Sequence, residues 1–422
     1  MKHFVFALMA ALALSTHAQT RVENESALRG LVGAGAYADA DLAKVKIAVL
    51  DNGFQGYSPE RNLLPGTARL IEGPVNPQAA TNHGLGMAQI AWAVSGRTPR
   101  GPEFVLINAN GFSNFKAAVD SIISQKIDLV LYAQVWSFGG NFDGTGFINA
   151  QVNRATDSGA LWVNAAGNTR NEVFNGPVTV LDLKGTIRLP GPGHSLRIEN
   201  RLDSNTINVT LSWNSFTDSE DDKTTKDLDL FLYSSDGKLI PTPNKIQRGE
   251  APTAESPELS AFSRETFTVT LDRGQYLLKV VARSKNFSSG DRMRVHVDPE
   301  RPGSVEFLDR TSSGEIMVPA DNPNVLTVGD CSAISSQGPT VDGRLKPDVV
   351  LSDSRVNFTD GTQTAGSSNA AAIAVGSLAL LKAKNPGLNR ADLVRWATAL
   401  RTRAPSCGGA PHWRLPGPGE RY

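Results

Sequence analysis

The sequence predicts an α/β fold in which a parallel sheet flanked by helices is interrupted by an inserted antiparallel β-sandwich. Three observations lead to this prediction. Apolar strands alternate with helical segments up to residue 175, period-two alternation follows over 178–297, and the α/β pattern then resumes before a long apolar helix. Strand–helix alternation is typical of a parallel sheet, whereas period-two alternation with turn signals indicates antiparallel strands. The β unit is therefore expected inside one α/β domain rather than after it.

The chain begins with a segment typical of exported proteins. Lys2 supplies a positive charge, residues 4–14 are apolar, and the small residues Thr16 and Ala18 precede a cleavage position near Gln19. The apolar run is too short to span a bilayer comfortably. We therefore expect residues 1–18 to be a signal peptide and the mature chain to be secreted or periplasmic, without membrane insertion.

The first α/β part carries polar residues at the ends of its strands. An apolar strand at 47–50 ends in Asp51, and the strand "ALWVNAAGN" ends in Asn168. A helix made of small and apolar residues begins at His83. Active sites in parallel sheets gather at the carboxyl ends of the strands. We therefore expect Asp51 and Asn168 at the same edge of the sheet.

The stretch "TAGSSNAAAIAVGSLALL" predicts a late helix that begins at two serines, Ser367 and Ser368. A serine in this position is ordinarily an N-cap, because its hydroxyl can accept a backbone N–H that has no helical partner. The helix belongs to the second α/β part. The predicted boundaries are 1–18 for the signal peptide, 19–44 for an N-terminal segment, 45–175 and 313–403 for the two α/β parts, 176–312 for the insertion and 404–422 for an extended C-terminal segment.

Composition excludes several classes of partner and cofactor. Lysine plus arginine and aspartate plus glutamate both number 42, so the chain lacks the basic excess of a nucleic-acid binder. No Cys/His spacing indicates zinc, and no phosphate-binding loop is present.

The acidic run at 218–229 is either a structural calcium site or a solvated loop. Cys331 and Cys407 either form a disulfide, as export would allow, or remain free buried thiols.

Three residues have the chemistry of nucleophilic catalysis. The chain has six histidines, of which only His83 falls in the predicted α/β core. An acid that orients an imidazole, an imidazole that accepts a proton and a serine that attacks are the parts that this chemistry needs, and Asp51, His83 and Ser368 supply them. The side-chain amide of Asn168 and the N–H of Ser368 could stabilise a developing oxyanion.

The order and context of these residues resemble the subtilisin-like serine peptidases, the subtilase family. The resemblance rests on five segments in the family's order, "IAVLDNGF", "NHGLGMAQIAWAV", "VNAAGN", "SSQGPTVDGRLKPDVV" and "AGSSNAAAIAVGSLALL". It implies that Asp51 orients the imidazole, His83 is the general base and acid, Asn168 stabilises the oxyanion and Ser368 is the nucleophile. Ser367 then has the role of a cap or turn hydroxyl.

A further segment, "VWSFGG", resembles the family's strand that pairs with the substrate backbone. The residues implied to bind substrate are Trp136, Ser137, Phe138, Gly139 and Gly140.

The chain also departs from the family's motifs: Leu85 and Gly86 replace the usual threonine and histidine, and Ala372 replaces the proline often found on the nucleophile's helix. These changes remove no reacting group, but they alter the surroundings of the site.

The function implied by the resemblance is that of a secreted serine endopeptidase, which hydrolyses protein or peptide substrates through an acyl-enzyme. The chemistry needs no cofactor and no metal in the site, and we expect a monomer. The alternative is an inactive subtilase-fold protein that binds partners through the β insertion, which resembles prepeptidase C-terminal or jelly-roll modules. An esterase of the α/β-hydrolase type is excluded, because that fold places its serine first in the chain.

Overall fold

The computed structural model describes residues 21–97, 101–220, 222–310, 314–392, 395, 407, 413–417 and 420. The predicted signal peptide at 1–18 lies outside these residues, as does most of the C-terminal segment at 404–422. No helix among the described residues has the length and apolar character that crossing a membrane requires.

Strands and helices alternate through the first part of the chain, as the sequence predicts. The apolar strand expected at 47–50 extends by one residue at each end, and its residues from Ile47 to Asp51 are buried. A short strand at 69–71 has no counterpart among the predictions. The elements are α1 (Glu25–Leu31), β1 (Lys46–Asp51), β2 (Arg69–Ile71), α2 (His83–Ser95), β3 (Glu103–Asn108), α3 (Phe112–Gln125), β4 (Leu129–Tyr132), α4 (Phe147–Asp157) and β5 (Leu161–Ala165).

The middle of the chain forms antiparallel strands. They are β6 (Val173–Pro177), β7 (Leu196–Asn200), β8 (Asn205–Trp213), β9 (Leu228–Ser234), β10 (Leu239–Ile240), β11 (Arg264–Leu271), β12 (Gly274–Ala282), β13 (Arg292–Pro299) and β14 (Val305–Phe307). They make a five-stranded sheet in the order β10-β9-β12-β7-β14 and a four-stranded sheet in the order β11-β8-β13-β6. One hydrophobic cluster contains side chains from both sheets. Strand β6 begins at Val173, so it crosses the boundary predicted at residue 176.

The last part of the chain returns to the first sheet. Its elements are β15 (Leu326–Asp330), β16 (Val349–Leu351), β17 (Val356–Asn357), β18 (Gln363–Thr364) and α5 (Ser367–Lys384). Seven strands form a sheet in the order β16-β15-β5-β4-β1-β3-β2, and every neighbouring pair in it is parallel. The predicted α/β fold with an antiparallel insertion is confirmed.

Helices α2 and α5 pack closely because small residues face each other. Ala370, Ala371 and Ala372 are fully buried on α5. A Cβ atom added to Gly376 would lie 2.4 Å from the carbonyl oxygen of Ala91 on α2, so only glycine allows this approach. The closeness predicted from the alanine-rich sequence is therefore present.

The two cysteines are joined, which decides between the alternatives that the sequence leaves open. A disulfide links Cys331 to Cys407, whose Cα atoms lie 5.5 Å apart. The loop that it closes contains α5, the helix that begins with the two serines. The disulfide thus ties the C-terminal segment to the end of β15.

Candidate active site

Asp51 and His83 form the central contact of the site. Asp51 is the last residue of β1 and is fully buried, and His83 is the first residue of α2. The His83 Nδ1 atom lies 2.7 Å from Asp51 Oδ2. A Cβ atom on Gly84 would lie 2.6 Å from the Cβ of Asp51, so the glycine after the histidine lets α2 begin against the end of β1.

The surroundings of His83 favour its protonated form. Burial lowers the pKa of the imidazole, but the charge of Asp51 and its hydrogen bond raise it by more, so the pKa lies above the ordinary 6.5. About a third of the His83 side chain remains exposed. Because Asp51 holds Nδ1, the Nε2 atom is the one available to exchange a proton with a substrate.

Ser368 is the second residue of α5 and is half-buried. Its hydroxyl donates a hydrogen bond to the carbonyl oxygen of Ala133 at 3.0 Å. Across the described residues, Ser368 and His83 make no hydrogen bond with each other. Catalytic hydrogen bonds are often long without substrate and tighten only in the complex. The Ser368 N–H has no helical partner, since the first four N–H groups of a helix lack one.

The residue after Ala133 contacts the other half of the site. Gln134 Nε2 donates to Asp51 Oδ1 at 3.4 Å and lies 3.3 Å from His83 Nδ1. Ala133 and Gln134 follow β4, which is the neighbour of β1 in the sheet. Sequence reasoning missed Gln134, although a polar residue close to the end of a buried strand is the kind of signal that identified Asp51. The end of β4 therefore connects the serine to the aspartate–histidine pair.

Asn168 is held by Ser367 rather than by Ser368. The Ser367 N–H and the Ser367 hydroxyl both donate to Asn168 Oδ1, each at 3.0 Å. The Ser367 Oγ also accepts the N–H of Gly167 at 3.1 Å. This arrangement occupies the oxygen of the Asn168 amide and leaves its Nδ2 as a donor. Of the two roles expected for Ser367, a cap or a turn hydroxyl, the cap is not found, because Gly366 is the N-cap residue and no side chain caps the helix.

Gly366 brings the start of α5 against this amide. A Cβ atom on Gly366 would lie 2.8 Å from Asn168 Nδ2, and its φ of 125° is one that other residues rarely adopt. Glycine is therefore required where the chain turns into the helix. The two donors suggested by the sequence, the Asn168 amide and the Ser368 N–H, come from neighbouring elements.

The residues implied to bind the substrate backbone contact other parts of the chain. The Trp136 N–H donates to Val318 O at 2.7 Å. The Ser137 carbonyl accepts the hydroxyl of Ser212, at 2.8 Å, from strand β8 of the insertion. The Arg264 guanidinium lies 3.9 Å from the ring centre of Phe138. The carbonyl of Gly139 accepts the N–H of Ile148, and Gly140 packs against Val318. Their role in substrate binding stays a prediction.

A cavity of about 200 Å³ lies beside Ser368 and Asn168. Its walls come from both α/β parts and from the insertion, which contributes His296 and Asp298 of β13. A larger open depression of about 610 Å³ lies beside α1 and contains none of the predicted site residues. The cavity next to the serine is therefore the one that concerns the chemistry.

The described residues contain no group of three or more His, Cys, Asp or Glu side chains that could hold a metal ion. In the acidic run at 218–229, Asp222 accepts the hydroxyl of Ser263 and Asp229 pairs with Arg283. Carboxylates of this run thus contact protein groups. A calcium ion there stays a prediction.

Comparison with known proteins identifies the family. The sequence model of the subtilase family matches residues 43–406. No curated protein matches the sequence. Among solved structures, the Clostridium perfringens CspB protease aligns with a TM-score of 0.54 at 12% identity, over 92% of this chain and 94% of that one. The serine protease MycP1 of the type VII (ESX-1) secretion system aligns with a TM-score of 0.41 at 14% identity, over 93% and 85%. At 12% identity, the likeness to CspB shows the fold alone.

Proposed function

Because the chain belongs to the subtilase family of serine-type peptidases, we propose that it is a secreted endopeptidase that cleaves protein or peptide substrates through an acyl-enzyme. The observation that carries the proposal is the contact between His83 Nδ1 and Asp51 Oδ2 at 2.7 Å, with Ser368 on the helix that packs beside α2. An acid, a base and a hydroxyl at one edge of a parallel sheet are what acyl transfer by serine requires.

In this mechanism the Ser368 hydroxyl attacks the scissile carbonyl and His83 Nε2 accepts its proton. Asp51 keeps the other ring nitrogen protonated and favours the imidazolium that forms. The imidazolium then gives the proton to the leaving amine, which departs and leaves Ser368 acylated. Water attacks the acyl group with the same proton transfers and restores the serine.

The negative oxygen that develops during attack needs donors that are already in place. The Nδ2 of Asn168 is suited to this, since Ser367 holds the oxygen of the same amide. The second donor is the N–H of Ser368. The positive end of the helix dipole of α5, which is 18 residues long, adds to the stabilisation.

All the groups that this mechanism uses belong to the chain, so we propose that the reaction needs no cofactor. Export rests on the pattern of residues 1–18, and we propose that the mature chain begins near Gln19 and acts outside the cytoplasm. We further propose that it acts as a monomer. N-terminal sequencing of secreted material tests the cleavage position.

A fluorophosphonate probe and an internally quenched peptide blocked at both ends test the function. The wild-type protein is expected to react with the probe and to cleave the blocked peptide internally. Ser368→Ala should abolish labelling and lower kcat by about 10⁴-fold or more. Ser124→Ala, which changes an exposed serine on α3, is the matched control and should behave as wild type. A folded wild-type protein that neither labels nor cleaves would instead be the inactive binding protein.

A further inference from the structure

The cavity beside Ser368 lies on the acyl side of the scissile bond. Ser368 and Asn168 line it, so a carbonyl attacked by the serine and polarised by the amide sits at its mouth. His83, which protonates the leaving amine, does not line the cavity. A group inside the cavity must therefore belong to the residue whose carbonyl becomes the acyl group, rather than to the departing peptide.

The insertion builds one wall of this cavity through His296 and Asp298. Met293, Val295 and Val297 of β13 point into the core between the two antiparallel sheets. Successive side chains of a strand point to opposite faces. The alternate residues Arg294, His296 and Asp298 therefore lie on the face of β13 that is turned away from that core, and two of them line the cavity.

The first two of these three side chains are already engaged with the α/β part. The buried Arg294 guanidinium donates to the carbonyls of Gly314 and Ile316. His296 is buried and its Nδ1 lies 2.7 Å from Ser137 Oγ. Burial and the charge of Arg294 lower the pKa of His296 to about 3, so the ring is neutral at physiological pH. Its Nε2 is buried and has no hydrogen-bond partner among the described residues.

Asp298 differs from both. The residue is exposed, and its carboxylate makes no hydrogen bond or ion pair with any described side chain. Among the described residues that line the cavity, it is the one acidic residue, and none of them is a lysine or arginine. The neighbouring Glu172 is buried, and burial raises its pKa to about 8, so it is mostly uncharged at neutral pH. Asp298 is therefore the described lining residue that carries a negative charge.

We propose, building on the peptidase function proposed above, that this cavity binds the cationic side chain of a lysine or arginine on the acyl side of the scissile bond, through the Asp298 carboxylate of the insertion. A guanidinium or ammonium carries several donors and no acceptor, which suits a wall that offers a carboxylate. A cation bound beside the Asp298 carboxylate favours its ionised form. The insertion thus determines which side chain is preferred at the residue before the scissile bond.

Direct binding tests the cavity without requiring catalysis. Benzamidine, a cation, and benzamide, its neutral counterpart, are titrated calorimetrically into the full mature chain carrying Ser368→Ala. Benzamidine is expected to bind at least about tenfold more tightly, as a charge-assisted hydrogen bond provides. Adding Asp298→Asn should remove the difference in affinity. The matched control Glu300→Gln, which lies directly after the end of β13 and outside the cavity, should keep it. Equal binding of the two compounds, or a difference that survives Asp298→Asn, overturns the proposal.

Hydrolysis separates this proposal from the one on which it rests. Acetylated peptides that differ only in the residue before the scissile bond carry arginine, lysine, citrulline or norleucine there. We expect kcat/KM for arginine to exceed that for its neutral analogue citrulline by about tenfold to 100-fold, and Asp298→Asn to reduce the ratio to within about twofold. Cleavage of all four at equal rates overturns the cavity assignment and leaves the peptidase. Benzamidine selectivity without any cleavage supports the cavity assignment and overturns the peptidase.

Discussion

Ser137 Oγ lies 2.7 Å from His296 Nδ1, and this contact joins the segment after β4 to strand β13 of the insertion. The Ser137 carbonyl also accepts the hydroxyl of Ser212, so one residue has two hydrogen bonds to the same antiparallel sheet. The insertion is therefore packed against the site rather than held away from it. Its docking supplies one wall of the cavity beside Ser368.

Ser367 is expected to act through Asn168. Ser367→Ala removes the hydroxyl that donates to Asn168 Oδ1 and accepts from Gly167, so the amide loses a positioning contact. We expect kcat to fall by about tenfold to 100-fold, less than for loss of an oxyanion donor itself, with little change in KM. Ser367→Thr, which keeps the hydroxyl, should recover most of the rate. A loss confined to thermal stability, with kcat unchanged, would show a purely structural role.

The pH dependence of kcat/KM should follow the ionisation of His83. The base must be neutral to accept a proton, and Asp51 raises the pKa of the imidazole above 6.5. Activity should therefore rise with pH through a midpoint above 6.5. Asp51→Asn should move the midpoint down and lower kcat by about 10⁴-fold, whereas the exposed Asp120→Asn should change neither. If kcat/KM falls at acid pH with the same midpoint in Asp51→Asn as in wild type, a group other than His83 controls that fall.

The disulfide should contribute measurably to stability. Cys331 and Cys407 are separated by 76 positions, and closing a loop of that length stabilises a protein by about 4 kcal/mol in the chain-entropy model. The double variant Cys331→Ser, Cys407→Ser should lose a similar free energy of unfolding in urea. Reducing agent should produce the same loss in wild type and none in the double variant. A wild-type protein unaffected by reduction would contradict the assignment.

The insertion should lose stability as the pH rises. Glu265 is buried on β11, and burial raises its pKa to about 8 from an ordinary value of 4.5. The folded state then keeps a proton that the unfolded chain releases, so stability present below pH 4.5 is lost as the pH rises through 8. Glu265→Gln should flatten this decline in urea unfolding, and the exposed Glu250→Gln should not. If the free energy of unfolding changes with pH in the same way in wild type and in Glu265→Gln, Glu265 is not the cause of the decline.

Much of the architecture can be read from local pattern. Apolar strands that end in a polar residue identified β1 with Asp51, and period-two alternation identified the antiparallel insertion. Small residues on α5 anticipated its contact with α2. The three-residue strand β2 escaped prediction, because so short a segment has no measurable period. The order of strands in the sheet also could not be read, since every apolar strand of a parallel sheet looks alike.

The sequence by itself determined the kind of fold and the residue types available for acyl transfer, because both depend on patterns within a single element. Only the tertiary structure decided which distant residues meet. Ser137 and His296 are 159 positions apart, and their contact depends on how the insertion docks. The contact of Gln134 with Asp51, the hydrogen bonds from Ser367 to Asn168 and the position of Asp298 in the cavity also depend on tertiary packing. No periodicity encodes these pairings, because they are set by the packing of one folded element against another.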